Sequence, residues 1–467
     1  MAKNFIQIRN LDDKYLDSEI TIYGRINNIR KVGAKTGFII LRDQLETIQC
    51  VCGLKFTDSF ENLIKLPSES YVYLTGKLAK LPDNVEKIKS CTITNFEFII
   101  SSWSLEGSVY HTPFILADAN FVTINNDDDD ENLNDRAWVS KSTKLNFRYF
   151  DLRCPINFCI FKARSMVLKS FRKTLDDMGF MEINSPKLIG ASSEGGSSVF
   201  PVKYFDKMGY LAQSPQLYKQ MAINADFNKV YEIGPVFRAE NSLGHRHLCE
   251  FTGMDIEMCI TPGKNYHEIV WVLWKVLSNI FNDLSEMTQI NEYISSIHQF
   301  KPIKYSSEPL IINFLDGIKM LSDNGFYQDP LQDLTTENEN ALGKIIKSKF
   351  DSDLFVLDKY PKNARPFYTM PNNEYPDYSN SYDIIMRGEE ICSGSQRIHD
   401  YQALKERIIN MGINEEPFKD YLNSFACGSK QHGGGGLGLE RILMLYYELG
   451  NVRKTSLFPR DPTRLTP

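Results

Sequence analysis

Short apolar runs, in part alternating with polar positions, make up EITIYGRI, GFIILRD, ETIQCVC, SYVYLTGKL and TITNFEFII, all between Glu19 and Ser102. A period of two marks half-buried strands, and the turns between these runs are rich in Gly, Pro, Asn and Lys. Five short strands in succession predict a small barrel. Beyond Asn146 the period changes. Ala163 to Phe180 carries Met166, Val167, Phe171, Leu175 and Met178 at helical spacing, and Gly179 marks a stop. Tyr266 to Met287 is apolar enough to be a packing helix. Between these helices, Val230 to Met258 reads VYEIGPVFRAENSLGHRHLCEFTGMDIEM. Two alternating runs around a polar loop predict two antiparallel strands. Period two then puts Gly234, Val236, Arg238 and Glu240 on one side of the first strand, and Phe251, Gly253, Asp255 and Glu257 on one side of the second. If those sides coincide, an arginine, an aromatic ring and two carboxylates share one surface. That surface suits a substrate with both anionic and cationic groups, or is a solvated, salt-bridged hairpin.

The change of period divides the chain into a barrel at 1–102, a connector at 103–145 and a larger mixed domain at 146–467. The consecutive acids Asp127 to Glu131 cannot bury themselves, which predicts a flexible acidic loop in a hinge rather than an ion site. A net charge of −6 excludes a bulk basic protein, so nucleic acid must be held by local patches. The barrel supplies one in Arg25, Arg30, Lys31, Lys35 and Arg42. The OB-fold is the barrel that fits, and such barrels stack single-stranded bases on aromatic rings. Phe38 is a candidate for stacking, and Gln49 and Glu97 for reading base edges. Each taken singly is also an ordinary core or surface residue. Nine scattered cysteines without a CxxC point to a reducing, cytoplasmic setting and not to a zinc cage. The N-terminus lacks a signal peptide's apolar core, and no apolar run reaches membrane-spanning length.

Candidate chemistry falls in four further stretches. Ser192 to Phe200 is a small-residue loop with one acid, Glu194. In LAQSPQLYKQ, Gln216 and Lys219 share a face if helical. SYDIIMRGEEICSGSQRIH places Asp383, Glu389, Glu390 and Arg397 in what otherwise reads as a buried strand. Charges there must be paired or bound to a ligand. Glu390 and Ser393 offer hard oxygens for Mg²⁺, with a structural ion-pair network as the alternative. HGGGGLGLERILMLYYELG contains a formal GxGxxG at Gly433, Gly435 and Gly438, but too little chain follows for a dinucleotide-binding βαβ unit. It reads instead as a glycine run for close backbone approach, opening a helix that carries Glu440 and Arg441. Arg441 suits a purine face or a phosphate. Ile290 to Tyr360 carries no readable chemistry, and its KMLSD at Lys319 is discounted.

A helix followed by an extended proline segment, then the FRAE…RH…EFT…D.E hairpin, then GLGLER together resemble the three motifs of class II aminoacyl-tRNA synthetases. With an OB-like barrel ahead of them they are similar to the subgroup charging aspartate, asparagine and lysine. SEGGSSVF, AQSPQLYKQ, VYEIGPVFRAENS, RHLCEFTGMDIEM, SYDIIMRGEEICSGSQRIHD, GGGGLGLERILML and RKTSLFPRDPTRLTP resemble its eukaryotic cytosolic, aspartate-specific branch. The resemblance covers the chain from about residue 19 onward. It implies an α+β fold: a five-stranded OB-fold anticodon-binding barrel and a catalytic domain built on an antiparallel sheet flanked by helices.

The resemblance also implies roles. Arg238 would hold the ATP α-phosphate and the aspartate carboxylate, and Phe251 and Arg441 would sandwich adenine. Arg246 and His247 would meet the triphosphate tail, with Glu240, Leu248 and Gly438 also around ATP. Glu390 and Ser393 would carry Mg²⁺. Glu194, Gln216 and Asp255 would line the amino-acid pocket near the ammonium, with Ser393 close by, and Lys219 and Arg397 would grip the side-chain carboxylate. Phe38, Gln49 and Glu97 would read the anticodon of tRNA(Asp), and Pro186 would lie at a homodimer interface. The branch is cytoplasmic, with no membrane partner. Almost no basic extension precedes the barrel, unlike many eukaryotic relatives. The alternatives are an asparagine-charging enzyme, an inactive tRNA-binding paralogue and a tRNA-independent amide ligase. Lys219 beside Arg397 favours aspartate, the filled catalytic positions count against the paralogue, and the barrel counts against the last.

Overall fold

Alternation in the first hundred residues becomes a closed barrel because each strand has one apolar side to bury. The computed structural model describes residues 4–81, 87–122, 137–191 and 199–467, so Glu194 and the acidic run 127–131 lie outside the described residues. The chain forms two compact units: 1–120 with 149–158, and 121–148 with 159–467. In the first, the strands Glu19–Val32, Thr36–Asp43 and Glu46–Gly53 run antiparallel in order. Glu46–Gly53 then pairs in parallel with Phe96–Gly107, which pairs with Tyr71–Lys80, and that strand returns to Glu19–Val32 to close the barrel. Closure removes the open edges that would otherwise seek partners. Ile20, Ile22, Ile39, Leu41, Ile48, Cys50, Val72, Leu74, Phe98 and Ile100 fill the interior. Deleting one of these, as in Leu41→Ala, would cost about 2–5 kcal/mol.

The predicted amphipathic helix runs over Pro155–Asp177, from Cys159 onward within the second unit, and begins earlier than the apolar spacing implied. Proline at its first position lacks an N–H that would have had no partner there. It ends in a paired C-cap: Phe180 N–H bonds the Leu175 carbonyl, Gly179 N–H bonds the Asp176 carbonyl, and Gly179 takes φ +78°. The helix over His267–Ser285 buries Ile269, Leu273, Trp274, Leu277 and Phe281.

The main sheet has eight strands in the order Ile311–Asn313, Leu354–Asp358, Ser381–Met386, Glu389–Gln396, His432–Gly438, Glu250–Cys259, Lys229–Phe237 and Met181–Glu182. The inner six are antiparallel, and each edge strand joins in parallel. The glycine run is therefore a strand in the middle of the sheet, and the helix Leu439–Tyr446 follows it directly. Alternate glycines serve opposite faces. A Cβ on Gly433 or Gly435 would meet Ile269 or Leu273 of the packing helix at 2.6 and 3.0 Å. On the other face, a Cβ on Gly434 would lie 2.3 Å from Glu257 Oε2 and one on Gly436 2.9 Å from Asp255 Oδ1. Side chains there would displace both carboxylates.

Candidate active site

The hairpin has the register that brings its two polar sides together. Val236 lies opposite Phe251, Gly234 opposite Gly253 and Glu232 opposite Asp255. Arg238 continues the pairing through its N–H to the Cys249 carbonyl, and its guanidinium sits 5.6 Å from the Phe251 ring centroid. Neighbouring strands extend this face in rows. Asp383, Ser393, Gly436 and Asp255 are opposite one another across four strands, and Ser381, Ser395, Gly434 and Glu257 form the next row. A bulge contributes as well. Ile384 pairs with Cys392 and Ile385 with Glu390, so Ile391 is an extra residue. It shifts the alternation so that Glu390 and Ser393, three apart, border the same cavity.

That cavity holds about 380 Å³. Its walls include Gln216, Lys219, Arg238, Glu240, Arg246, His247, Leu248, Phe251, Asp255, Glu390, Ser393, Arg397, Gly438 and Arg441. These are all the residues singled out from sequence for ATP, aspartate or metal that the structure describes. One end is a buried charge cluster. Lys219 Nζ lies 3.0 Å from Asp255 Oδ1 and 3.4 Å from Glu257 Oε2, and Gln216 and Lys219 share the helix Gln216–Asn224. Arg397 bonds Glu257 Oε1 through Nε at 2.9 Å and Gln216 Oε1 through Nη2 at 3.0 Å. Burial by itself pushes the Glu257 carboxyl up, but Arg397 and Lys219 outweigh it and hold it below its ordinary value.

The other end is basic and more open. Arg246 Nη1 meets Glu339 Oε2 at 2.7 Å. Arg441 donates to the Glu390 carbonyl at 2.5 Å and the Arg246 carbonyl at 3.3 Å. His247 Nδ1 lies 3.1 Å from Ser242 Oγ, and burial holds its imidazole below its ordinary value. Glu440 also borders the cavity, but its carboxylate is engaged by the protein: it pairs with Arg164 at 2.7 Å and accepts the Thr252 N–H at 3.0 Å. An anionic tail fits the basic end, and an amino acid with a second carboxylate fits the buried one.

Residues 140–462 match the family described as tRNA synthetases class II (D, K and N), and residues 20–105 match the OB-fold nucleic acid binding domain. The chain belongs to the class II tRNA synthetases. It is 42% identical over 468 residues to the cytoplasmic aspartate–tRNA ligase of Mus musculus, covering 99% of this chain and 91% of that one. The aspartyl-tRNA synthetase structure from Entamoeba histolytica is 37% identical with a TM-score of 0.87, covering 100% of this chain and 93% of that chain. An asparaginyl-tRNA synthetase from Pyrococcus horikoshii, complexed with asparaginyl-adenylate, is 26% identical with a TM-score of 0.84, covering 100% of both chains.

In this class II synthetase the barrel candidates also fall together. Phe38 and Ile40 pair with Val51 and Gln49, and Gln49 pairs with Glu97, so all share the outer face. Gln49 Nε2 donates to Glu97, and the Arg30 guanidinium lies 5.2 Å from the Phe38 ring centroid. Pro186 is exposed, away from the cavity. Three residues given no role from sequence matter as much, one of them Glu257, which the period of two had already put on this face. Glu257 bridges both buried cations. Arg365 bonds Asp383 Oδ2 at 2.7 Å and Ser393 Oγ at 2.9 Å. Glu339 reaches Arg246 from the stretch that read as featureless. Arg365 and Glu339 lie in mixed sequence with no periodic signal, so only the fold reveals them as partners. Among the described residues no helix is long and apolar enough to cross a membrane.

Proposed function

We infer that the chain is an aspartate–tRNA ligase, which joins L-aspartate to ATP and passes it to the 3′ end of tRNA(Asp), releasing pyrophosphate and AMP. The observation that carries the choice of amino acid is the buried pair Lys219 and Arg397 bridged by Glu257. Lys219, Arg397 and Arg238 against Asp255 and Glu257 leave this group of five side chains one net positive charge. Aspartate carries one net negative charge and asparagine none. Asparagine would leave a buried cation without its counter-charge and donors without acceptors. The identity to ligases named for aspartate points the same way.

Arg238, its guanidinium 5.6 Å from the Phe251 ring centroid, neutralises the α-phosphate and holds the aspartate α-carboxylate in line with it. Asp255 takes the ammonium. The carboxylate oxygen attacks the α-phosphorus and pyrophosphate leaves, so positioning and charge neutralisation carry the step. A terminal ribose hydroxyl of the tRNA then attacks the adenylate carbonyl and AMP leaves. Glu390 forms no side-chain hydrogen bond or ion pair among the described residues, and Asp383 Oδ1, opposite Ser393, is buried without a hydrogen-bond partner. Those free oxygens suit a hard cation. Glu390 and Ser393 would hold Mg²⁺, which would offset the charge of the phosphates. Phe38, Gln49 and Glu97 would meet the anticodon. Around Pro186, the exposed Met181, Leu188 and Met208 support a homodimer face. The relatives' cytoplasmic names support a cytoplasmic setting.

ATP–pyrophosphate exchange with aspartate and with asparagine, side by side and without tRNA, tests this reading. Exchange with aspartate alone is expected. Exchange with asparagine alone would reassign the amino acid, and exchange with neither would remove the ligase reading.

A further inference from the structure

Glu339 lies in the first turn of the helix Thr336–Phe350, in a stretch with no chemical pattern of its own. It is 7% exposed, and both carboxylate oxygens are engaged. Oε2 pairs with Arg246 Nη1 at 2.7 Å, and Oε1 accepts the backbone N–H of Glu390. Thr336 Oγ1, on the same turn, accepts from Arg246 Nη2 at 2.9 Å. The bonds continue from there. Arg441 Nη2 donates to the Arg246 carbonyl and Arg441 Nη1 to the Glu390 carbonyl. Glu339, Arg246, Arg441 and Glu390 therefore close a ring. Arg246, Arg441 and Glu390 line the cavity, and Glu339 stands behind them.

A buried carboxylate held between an arginine and a backbone N–H is costly to place unless both partners stay put. The ring fixes Arg246 in one geometry before any ligand arrives, which removes the ordering of a long side chain from the cost of binding. It also ties Arg246 to the strand that carries Glu390. We propose that Glu339 is a positioning residue for the nucleotide, presetting Arg246 toward the triphosphate and fixing its distance from Glu390. This rests on the ligase reading for the identity of the nucleotide, but it concerns a contact that the ligase chemistry does not itself require.

The test is a double-mutant cycle on ATP binding, read by isothermal titration calorimetry with Mg²⁺ and without aspartate. It therefore does not depend on turnover, and a failure of the ligase reading shows separately as absent exchange in the unaltered protein. Glu339→Gln still accepts the Glu390 N–H but loses the charge that holds Arg246. It is expected to raise the Kd for ATP about tenfold, the scale of one charge-assisted hydrogen bond. In an Arg246→Ala background the same change is expected to move Kd less than twofold, because the residue acts through Arg246. Thr336→Val is expected to weaken ATP in the same direction by a smaller factor, and likewise to be silent without Arg246. If Glu339→Gln fails to fold, the Thr336 cycle decides. Equal losses in both backgrounds, no loss, or tighter ATP binding would overturn the proposal.

Discussion

Glu257 accepts two hydrogen bonds from Arg397, 2.9 Å from Nε and 3.2 Å from Nη2, and neither side chain is more than 5% exposed. The same carboxylate lies 3.4 Å from Lys219 Nζ. Two cations that would repel each other in a dry pocket are thus held side by side by an anion beneath them. Removing that anion takes away the ion-pair partner of Arg397 and leaves Lys219 with Asp255 alone. Glu257→Gln is expected to cost about 3–5 kcal/mol of stability. A urea-unfolding midpoint unchanged from the parent protein would show that the cluster is not held this way.

The pH dependence follows from the same group. Burial raises the Glu257 carboxyl, Arg397 and Lys219 more than reverse this, and its folded value is lowered. The unfolded chain therefore binds this proton more readily. The stabilisation is present above the unfolded value of about 4.3 and is lost as pH falls through the lower folded value. The stability gap between the parent and Glu257→Gln is expected to be constant near neutrality and to shrink below about pH 4. Thermal unfolding across pH 3 to 7 reads this directly, and a gap that widened toward acid would contradict the sign.

Lys219 sits in the buried cluster, 3.0 Å from Asp255 Oδ1 and 3.4 Å from Glu257 Oε2, where the proposed aspartate side chain would meet it. Lys219→Met is expected to raise the KM for aspartate about thirtyfold or more, the cost of leaving a buried charge unpaired, and to change the KM for ATP only slightly. Equal losses for both substrates in pyrophosphate exchange would make the residue a packing element only.

Arg238 lines the cavity, its guanidinium 5.6 Å from the Phe251 ring centroid. Arg238→Ala is expected to lower aspartate-dependent exchange about 10²–10³-fold, the loss usual for one preorganised charge-stabilising donor. Near-normal exchange would sink its role at the α-phosphate.

The barrel acts on a different substrate. Gln49→Ala removes one side chain of the outer patch and leaves the interior intact. Aminoacylation is expected to fall about tenfold in kcat/KM for tRNA, with exchange unaltered. A parallel fall in exchange would mean that the barrel face is not the anticodon contact.

Much of this was legible in the chain itself. Alternation fixed five barrel strands, because a strand with one apolar side has a single way to bury it. Period two also put Arg238 on one side of the first hairpin strand and Phe251 and Asp255 on one side of the second, and the register made those sides coincide; Gln216 and Lys219 have the spacing of one helix face, and the helix is there. Tertiary structure decided the rest. Simple alternation would send Glu390 and Ser393 to opposite faces, and a bulge at Ile391 reverses that. The glycine run became a central strand because carboxylates from its neighbour needed the space of the missing side chains. Glu339 and Arg365 were silent in sequence, since an isolated charge announces no partner. Only the packing of a distant helix and loop against the sheet brings them to Arg246 and Ser393. Local periodicity is set by neighbours along the chain, whereas charge pairing across the sheet depends on which strands end up adjacent.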